Sequence, residues 1–346
     1  MTDPHIVAID LFCGAGGLTY GLRKAGIDVI AGIDIDPNSK YPYEFNNKAK
    51  FINRDINDVS SLEVEKLFME KKGQYRLLAG CAPCQPFSGY SNGRDLSEDK
   101  KWPLMREFSR MIRDILPEFV TMENVPQVIK HSVYEDFVET LQSLGYQVEA
   151  TRVKCIEFGI PQSRVRHVLL ASRIGKVSLA HPGRKSLKTV REAIGSLPPI
   201  SAGEQSTSDP LHVSSKLTDL NMARIKASRP GGSWRDWPHN LVADCHKKST
   251  GKSFPSVYGR MEWDIPSPTM TTQCFGFGNG RFGHPEQDRA ISLREAAIFQ
   301  TFPKSYQFFP RNQKKIKMKT VGTLIGNAVP PRLAEVIGKS FISSIN

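Results

Sequence analysis

The sequence predicts an α/β protein: an open, mostly parallel sheet flanked by helices, with a smaller, irregular, β-leaning domain after it. Three observations predict this. Over the first 170 residues, short apolar runs alternate with amphipathic segments, the pattern of strands joined by helices of ~10–15 residues. The runs end in glycines, carboxylates and prolines, and open parallel sheets bind ligands beyond the carboxyl ends of their strands. Near Gly183 the character changes: residues 184–290 are rich in Pro, Gly, Ser, Arg and Trp, with only short periodic pieces.

Residues 5–10 form the first predicted strand, followed by a glycine-rich turn and a helix reaching about Ala25. Residues 28–33 form the second strand, and a third is expected just before Asp55. Runs at 77–81, 119–122, 147–153 and 165–171 continue the series, with amphipathic helices at 62–68, 104–116 and 134–144 between them. Helical periodicity returns at 292–299 and 332–344. The densest basic cluster, residues 314–319, reads as a solvated helix face. No internal repeat is present.

With 346 residues, 39% hydrophobic and 24% charged, the chain has apolar material for one or two packed cores, too much for a disordered chain. No run approaches the ~18 apolar residues that span a bilayer, and Met-Thr-Asp-Pro-His at the start lacks the basic and apolar regions of a signal peptide. Six cysteines in a chain of this length do not make a disulfide framework, so a cytoplasmic protein with free thiols is expected. The net charge of +12 is uneven, −5 over residues 1–150 and +17 over residues 151–346. Such asymmetry suits an anionic partner, most often nucleic acid, although a merely soluble basic surface would look the same.

The turn at residues 10–18, Asp-Leu-Phe-Cys-Gly-Ala-Gly-Gly-Leu, ends a strand and opens a helix. Its glycines let a ligand approach the backbone, and a helix N-terminus offers free N–H groups. The spacing of Gly14, Gly16 and Gly17 does not fit the dinucleotide-binding Gly-x-Gly-x-x-Gly. Asp34 and Asp55 follow the second and third strands, and a carboxylate at a second strand end accepts bonds from ribose hydroxyls. Together these features indicate an adenosine-containing ligand; capping aspartates around a tight turn are the bland alternative.

Gly80-Cys-Ala-Pro-Cys-Gln-Pro-Phe-Ser88 sits at the end of the fourth strand. Cys81 and Cys84 have the spacing of a zinc half-site or a redox pair, but the second Cys-x-x-Cys of a zinc site is absent. The remaining reading is a nucleophilic thiolate held by Pro83 and Pro86. Glu123, in Met-Glu-Asn-Val-Pro, ends the neighbouring strand, where a partly buried carboxyl can hold a proton near neutral pH. Gln162-Ser-Arg-Val-Arg166 opens the last strand, so that Gln162, Arg164 and Arg166 alternate to one face as an anion or carbonyl clamp.

With these motifs in order, followed by Ser-Leu-Arg-Glu-Ala-Ala-Ile-Phe-Gln-Thr-Phe-Pro and Ile-Gly-Asn-Ala-Val-Pro-Pro, the chain strongly resembles the cytosine-5 DNA methyltransferase family. Any one tripeptide is weak, whereas six motifs in family order are specific, and the likeness covers nearly everything outside about 184–265. It implies an S-adenosylmethionine-dependent, Rossmann-like methyltransferase domain with a mixed seven-stranded sheet. The domain boundaries it implies are 1–183 catalytic, 184–290 target recognition, and 291–346 completing the catalytic domain, with the last helix packed back on it.

By resemblance, Phe12, Gly14, Ala15, Gly16, Gly17 and Leu18 would hold S-adenosylmethionine, Asp34 its ribose and Ile35 its adenine. Asp55 and Ile56 would address the adenine edge, and Pro83, Leu104, Asn327 and Val329 would complete the pocket. Relatives often carry Glu where Asp34 stands, which shortens the reach to the ribose. Cys84 would attack C6 of the cytosine, Glu123 would meet N3, and Arg164 and Arg166 would clamp the base and backbone. Cys81 is not the family nucleophile; small residues are usual there. The chemistry needs no metal. The target base must leave the helix, and the loop 87–101 is the natural element to close over it, with Gln85 and Ser88 on the DNA. Arg235, Arg260 and Arg281, in glycine- and aromatic-rich loops, are candidate guanine readers.

The resemblance further implies a monomer acting on duplex DNA, as the modification arm of a restriction system with a partner endonuclease. A tRNA-directed member, a catalytically inactive DNA-binding member and a nicotinamide-dependent oxidoreductase are the alternatives. The intact Cys84, Glu123 and arginines oppose the second, and the glycine spacing opposes the third.

Overall fold

The structure, a computed structural model, describes residues 5–71, 73–83, 103–181, 183, 187–313 and 316–345. Cys84, Gln85, Ser88 and the loop 87–101 lie outside the described residues. The chain divides into two compact units. One comprises Met1–Phe158, Val165–Arg184 and Ala328–Asn346; the other comprises Gly159–Arg164 and Lys185–Asn327. Residues 291–327 thus fall in the second unit, where the sequence reading grouped them with the catalytic domain.

The first unit is built on seven strands: β1 Ile6–Leu11, β2 Asp28–Asp34, β3 Lys50–Asn53, β4 Tyr75–Gly80, β5 Phe119–Asn124, β6 Gln147–Lys154 and β7 Val165–Ser172. Their order is β3-β2-β1-β4-β5-β7-β6. The first five run parallel, whereas β7 is antiparallel to both β5 and β6. The sheet is therefore mixed, as the family likeness implies, and mostly parallel, since only β7 runs against the other six strands. Every residue of β1 is buried, which explains its near-continuous apolar run: a strand covered on both faces has no polar side to present. Asp10 is the exception within it.

Helices α1 Gly17–Lys24, α2 Lys40–Asn47, α3 Ser61–Glu70, α4 Pro103–Ile115 and α5 Ser132–Ser143 fill the connections. Ser60 and Glu63 form a capping box that starts α3. In α4, Met105, Phe108, Met111, Ile112 and Ile115 are buried on one face, against the sheet core of Leu78, Val120 and Leu169. The strand order reverses between β1 and β4. The crevice for a ligand therefore opens beyond Leu11 and Gly80, which are register partners.

The C-terminal helix of the chain, Pro331–Ile345, packs on α1 with almost no side chain between them. A Cβ on Gly21 would lie 2.3 Å from Ala334 Cβ and from the Pro331 carbonyl oxygen. Glu335 on that helix accepts from Lys339 at 2.8 Å and Arg332 at 2.9 Å, with Lys24 at 3.3 Å. Burial works to raise its pKa, but the three cations outweigh it and hold the carboxyl at about 2.

The second unit holds α6 Val190–Ile194, α7 Asp219–Lys226, α8 Asp244–Lys247, α9 Leu293–Phe299 and α10 Met318–Asn327; Pro331–Ile345 in the first unit is α11. It carries no named strand among its described residues, only isolated bridges such as Gln205 with Val213 and Arg260 with Gly283. The expected β-rich character is therefore absent. A chain without ladders must satisfy its carbonyls otherwise, and here arginines do so. Arg289, fully buried, donates to the Ile200 and Ala290 carbonyls and forks onto Glu295 at 2.7 and 2.8 Å. Burial pushes the Glu295 carboxyl up, but Arg289 more than compensates and its pKa is lowered. Burial also depresses His284 to about 4, so that imidazole is neutral near pH 7. A core of Ile225, Trp234, Trp237, Val257, Phe277 and Ala290 lies in this unit. Among the described residues, no helix is long and apolar enough to cross a membrane.

Candidate active site

The turn after β1 brings the predicted cofactor residues together. Phe12 leaves the strand at φ +59°, a strained conformation for a bulky residue, and Gly14 and Gly16 follow at +50° and +86°. A Cβ on Gly14 would meet nothing within 4 Å, so the turn faces open space. Gly16 caps α1 without a side-chain bond, leaving the first N–H groups of the helix exposed to a ligand. The Asp34 carboxylate ties this turn to the end of β2: it accepts from Gly14 N and from Asp36 N, each at 2.8 Å. Each oxygen keeps a further acceptor position for a hydroxyl. Beside it, Ile35 is 65% exposed, an apolar side chain without apolar cover. Asn53 donates to the carbonyls of Asp34 and Ile35 at 3.0 and 2.9 Å, fixing their orientation.

Asp55 caps a short turn, accepting from Asn57 N at 3.0 Å, and the Ile56 side chain is buried in the sheet core. Leu104 packs partly against that core, as does Phe12. Asn327 and Val329 fall in different units.

Sequence reasoning missed Asp10, one turn below this cradle. Its side chain is 1% exposed; Thr19 donates to Oδ2 at 2.7 Å, and Oδ1 has no partner among the described residues. Burial raises its pKa to about 7, with Asp34 adding like-charge repulsion. Burial likewise raises Asp34, and it pushes the Cys13 thiol far up. The only signal in the sequence was a carboxylate inside an otherwise apolar strand.

The ends of β4 and β5 form the second half of the site. Their parallel register, with Gly80 opposite Met122, sets Cys81 beside Glu123. Cys81 Sγ donates to Glu123 Oε2 at 3.4 Å. Arg166 Nε lies 2.8 Å from Glu123 Oε1, but its N–H is not aimed at that oxygen, which has no hydrogen-bond donor among the described residues. Asn124 Nδ2 donates to the Ala82 carbonyl at 3.2 Å, so the start of the Cys84 segment is anchored to β5. Pro83, exposed, is the last described residue before Cys84. The carboxylate, the thiol and the guanidinium are thus assembled by neighbouring strands.

The arrangement of Gln162, Arg164 and Arg166 on one strand face does not occur. β7 starts only at Val165, and Gln162 and Arg164 belong to the second unit. Gln162 there donates to the Phe299 carbonyl and the Gln300 amide, and accepts from Met270 N at 2.7 Å. Arg164 donates to the Met270 carbonyl at 2.9 Å. Extended ladder geometry begins three residues later than alternation suggested, because 161–163 bridge to Ser267 instead.

Of the arginines expected to read DNA, Arg260 is committed to the fold. It is 5% exposed and donates to the carbonyls of Ile225, Ser228, His284 and Gln287 and to Asp288. A guanidinium with its donors so engaged has nothing to offer a base edge, so this expectation is corrected. Arg281 is half-buried and donates to the Gly232 carbonyl at 2.6 Å. Arg235 is exposed, its guanidinium 5.5 Å from the centre of the Trp234 ring.

Comparison with known proteins gives the family. A family model for C-5 cytosine-specific DNA methylases matches residues 6–343. Type II methylase M.HgiDII of Herpetosiphon aurantiacus is 51% identical over 337 residues, 96% of this chain and 94% of its own length. Type II methyltransferase M.Eco47II of Escherichia coli is 30% identical, across 96% of this chain and 78% of its own. Among solved structures, a prophage-encoded E. coli protein, a candidate DNA modification methyltransferase, superposes with a TM-score of 0.70 at 22% identity, covering 99% of both chains. The chain belongs to the C-5 cytosine-specific DNA methylase family and is a DNA (cytosine-5)-methyltransferase.

Proposed function

We propose that the enzyme methylates C5 of a cytosine flipped out of a specific duplex DNA site, through a covalent adduct between Cys84 and C6, as the modification arm of a restriction system. The observation that supports it best is the hydrogen bond from Asn124 to the Ala82 carbonyl, which ties Ala82, two residues before Cys84, to the strand that carries Glu123. The cradle after β1 suits S-adenosylmethionine: Gly14 faces open space, Asp34 keeps acceptor positions, and Ile35 offers an apolar face. Bound there, S-adenosylmethionine supplies an electrophilic methyl group.

Cytosine C5 is a poor nucleophile. Cys84 Sγ adds to C6 and makes C5 enamine-like, while Glu123 donates to N3 and stabilises the adduct. Arg166, 2.8 Å from Oε1, sets a positive charge beside the Glu123 carboxyl. Once C5 is substituted, loss of its proton and β-elimination return the Cys84 thiolate. Base extrusion costs roughly a few kcal/mol of unstacking. Arg235 and Arg281 are the remaining reader candidates, and the second unit supplies the recognition surface.

The test is bisulfite sequencing of plasmid DNA from cells expressing the wild type and Cys84→Ser. Protected cytosines in one sequence context, present for the wild type and lost for the variant, are expected. Methylation found only on adenine or on cytosine N4, or an active Cys84→Ser, overturns the proposal.

A further inference from the structure

Cys81 is more than a neighbour of the nucleophile. The β4–β5 register places its sulfur 3.4 Å from Glu123 Oε2, and Glu123 is 7% exposed, so bulk water does not compete for that oxygen. Burial and the nearby carboxylates of Glu123 and Asp10 push the thiol far above its ordinary range. It therefore stays a donor, and Glu123 Oε2 accepts. On the other side, Arg166 stands at 2.8 Å from Oε1 without a well-aimed N–H. Asp10 on β1 acts on the Cys81 thiol rather than donating to this carboxyl. The thiol is thus the one hydrogen bond that fixes the rotation of the Glu123 carboxyl among the described residues.

We propose that Cys81 is a positioning residue for Glu123: its S–H holds Oε2 and leaves Oε1 to meet the target base. This inference rests on the proposed role of Glu123 at cytosine N3. Removing the donor leaves the carboxyl free to rotate away from the base.

The experiment measures single-turnover methylation of a duplex carrying the bisulfite-mapped site, from pH 5.5 to 8.5, for wild type, Cys81→Ala and Cys81→Ser. Cys81→Ala is expected to slow the single-turnover rate about threefold at every pH, the loss of one weak hydrogen bond, with duplex affinity unchanged. Cys81→Ser, which restores a donor, should recover most of that rate. Trapping on the same duplex with 5-fluorocytosine at the target separates the two readings. Wild-type trapping at Cys84 with equal rates for all three proteins, or a Cys81→Ser no faster than Cys81→Ala, overturns this inference alone. No trapping at Cys84 overturns both, as does a variant at position 81 that abolishes trapping at every pH.

Discussion

Replacing Asp10 with asparagine should stabilise the first unit, and increasingly so as pH rises. Asp10 is buried at 1% exposure with one bonded oxygen and one without a partner, and its pKa is raised from 3.8 to about 7. An acid raised in the folded state contributes its full stability below the unfolded pKa and loses it as pH climbs to the folded pKa. At 1.36 kcal/mol per unit, the wild type should lose about 1.6 kcal/mol by pH 5 and about 4 kcal/mol by pH 8 relative to strongly acid solution. Asn does not titrate, and it resembles the protonated acid: both keep an oxygen for Thr19 and place a donor where Oδ1 lies. The advantage of Asp10→Asn should therefore grow by about 2–3 kcal/mol between pH 5 and pH 8, roughly 5–10 °C in the melting midpoint of a unit this size. Differential scanning calorimetry of the ligand-free proteins at both pH values reads this directly. A difference independent of pH, or a variant that grows less stable towards pH 8, would show that Asp10 ionises freely and refute the reasoning.

Two further outcomes bear on binding. Asp34→Ala removes the acceptor of Gly14 N and Asp36 N, and should weaken S-adenosylmethionine at least tenfold, about 1.4 kcal/mol, in calorimetric titration without DNA; unchanged affinity would remove Asp34 from the cofactor site. Arg235→Ala should relax preference at one base pair by roughly 1–3 kcal/mol when methylation of the mapped site is compared with its single-base variants. A uniform loss across all variants would make Arg235 a phosphate contact instead.

The strands β1, β2, β4, β5, β6 and β7 were all legible as apolar runs, to within a few residues of their observed ends. So were α3, α4, α5, α9 and α11, because their periodic faces are what burial selects. Local spacing failed at α2, where Tyr41, Tyr43 and Phe45 do not read as a helix face. The cradle was also legible, since glycines with positive φ and a carboxylate at the next strand end are local features that sequence spacing records. What spacing could not record was partnership across the chain. Arg260 and Arg281 look alike as arginines in glycine-rich loops, yet one is fully spent on carbonyls contributed by four distant residues. The direction of β7, and with it the mixed sheet, depends on which strand pairs with β5. Cys81 reads as an incidental thiol until the register of β4 against β5 sets it on Glu123. Asp10 reads as part of an apolar strand until its burial on both faces makes a protonated acid of it. Periodicity and turn chemistry act between neighbours in the chain, so the sequence alone determines them. Hydrogen-bond partners, burial and protonation depend on atoms brought together from far apart, and only the tertiary structure decides those.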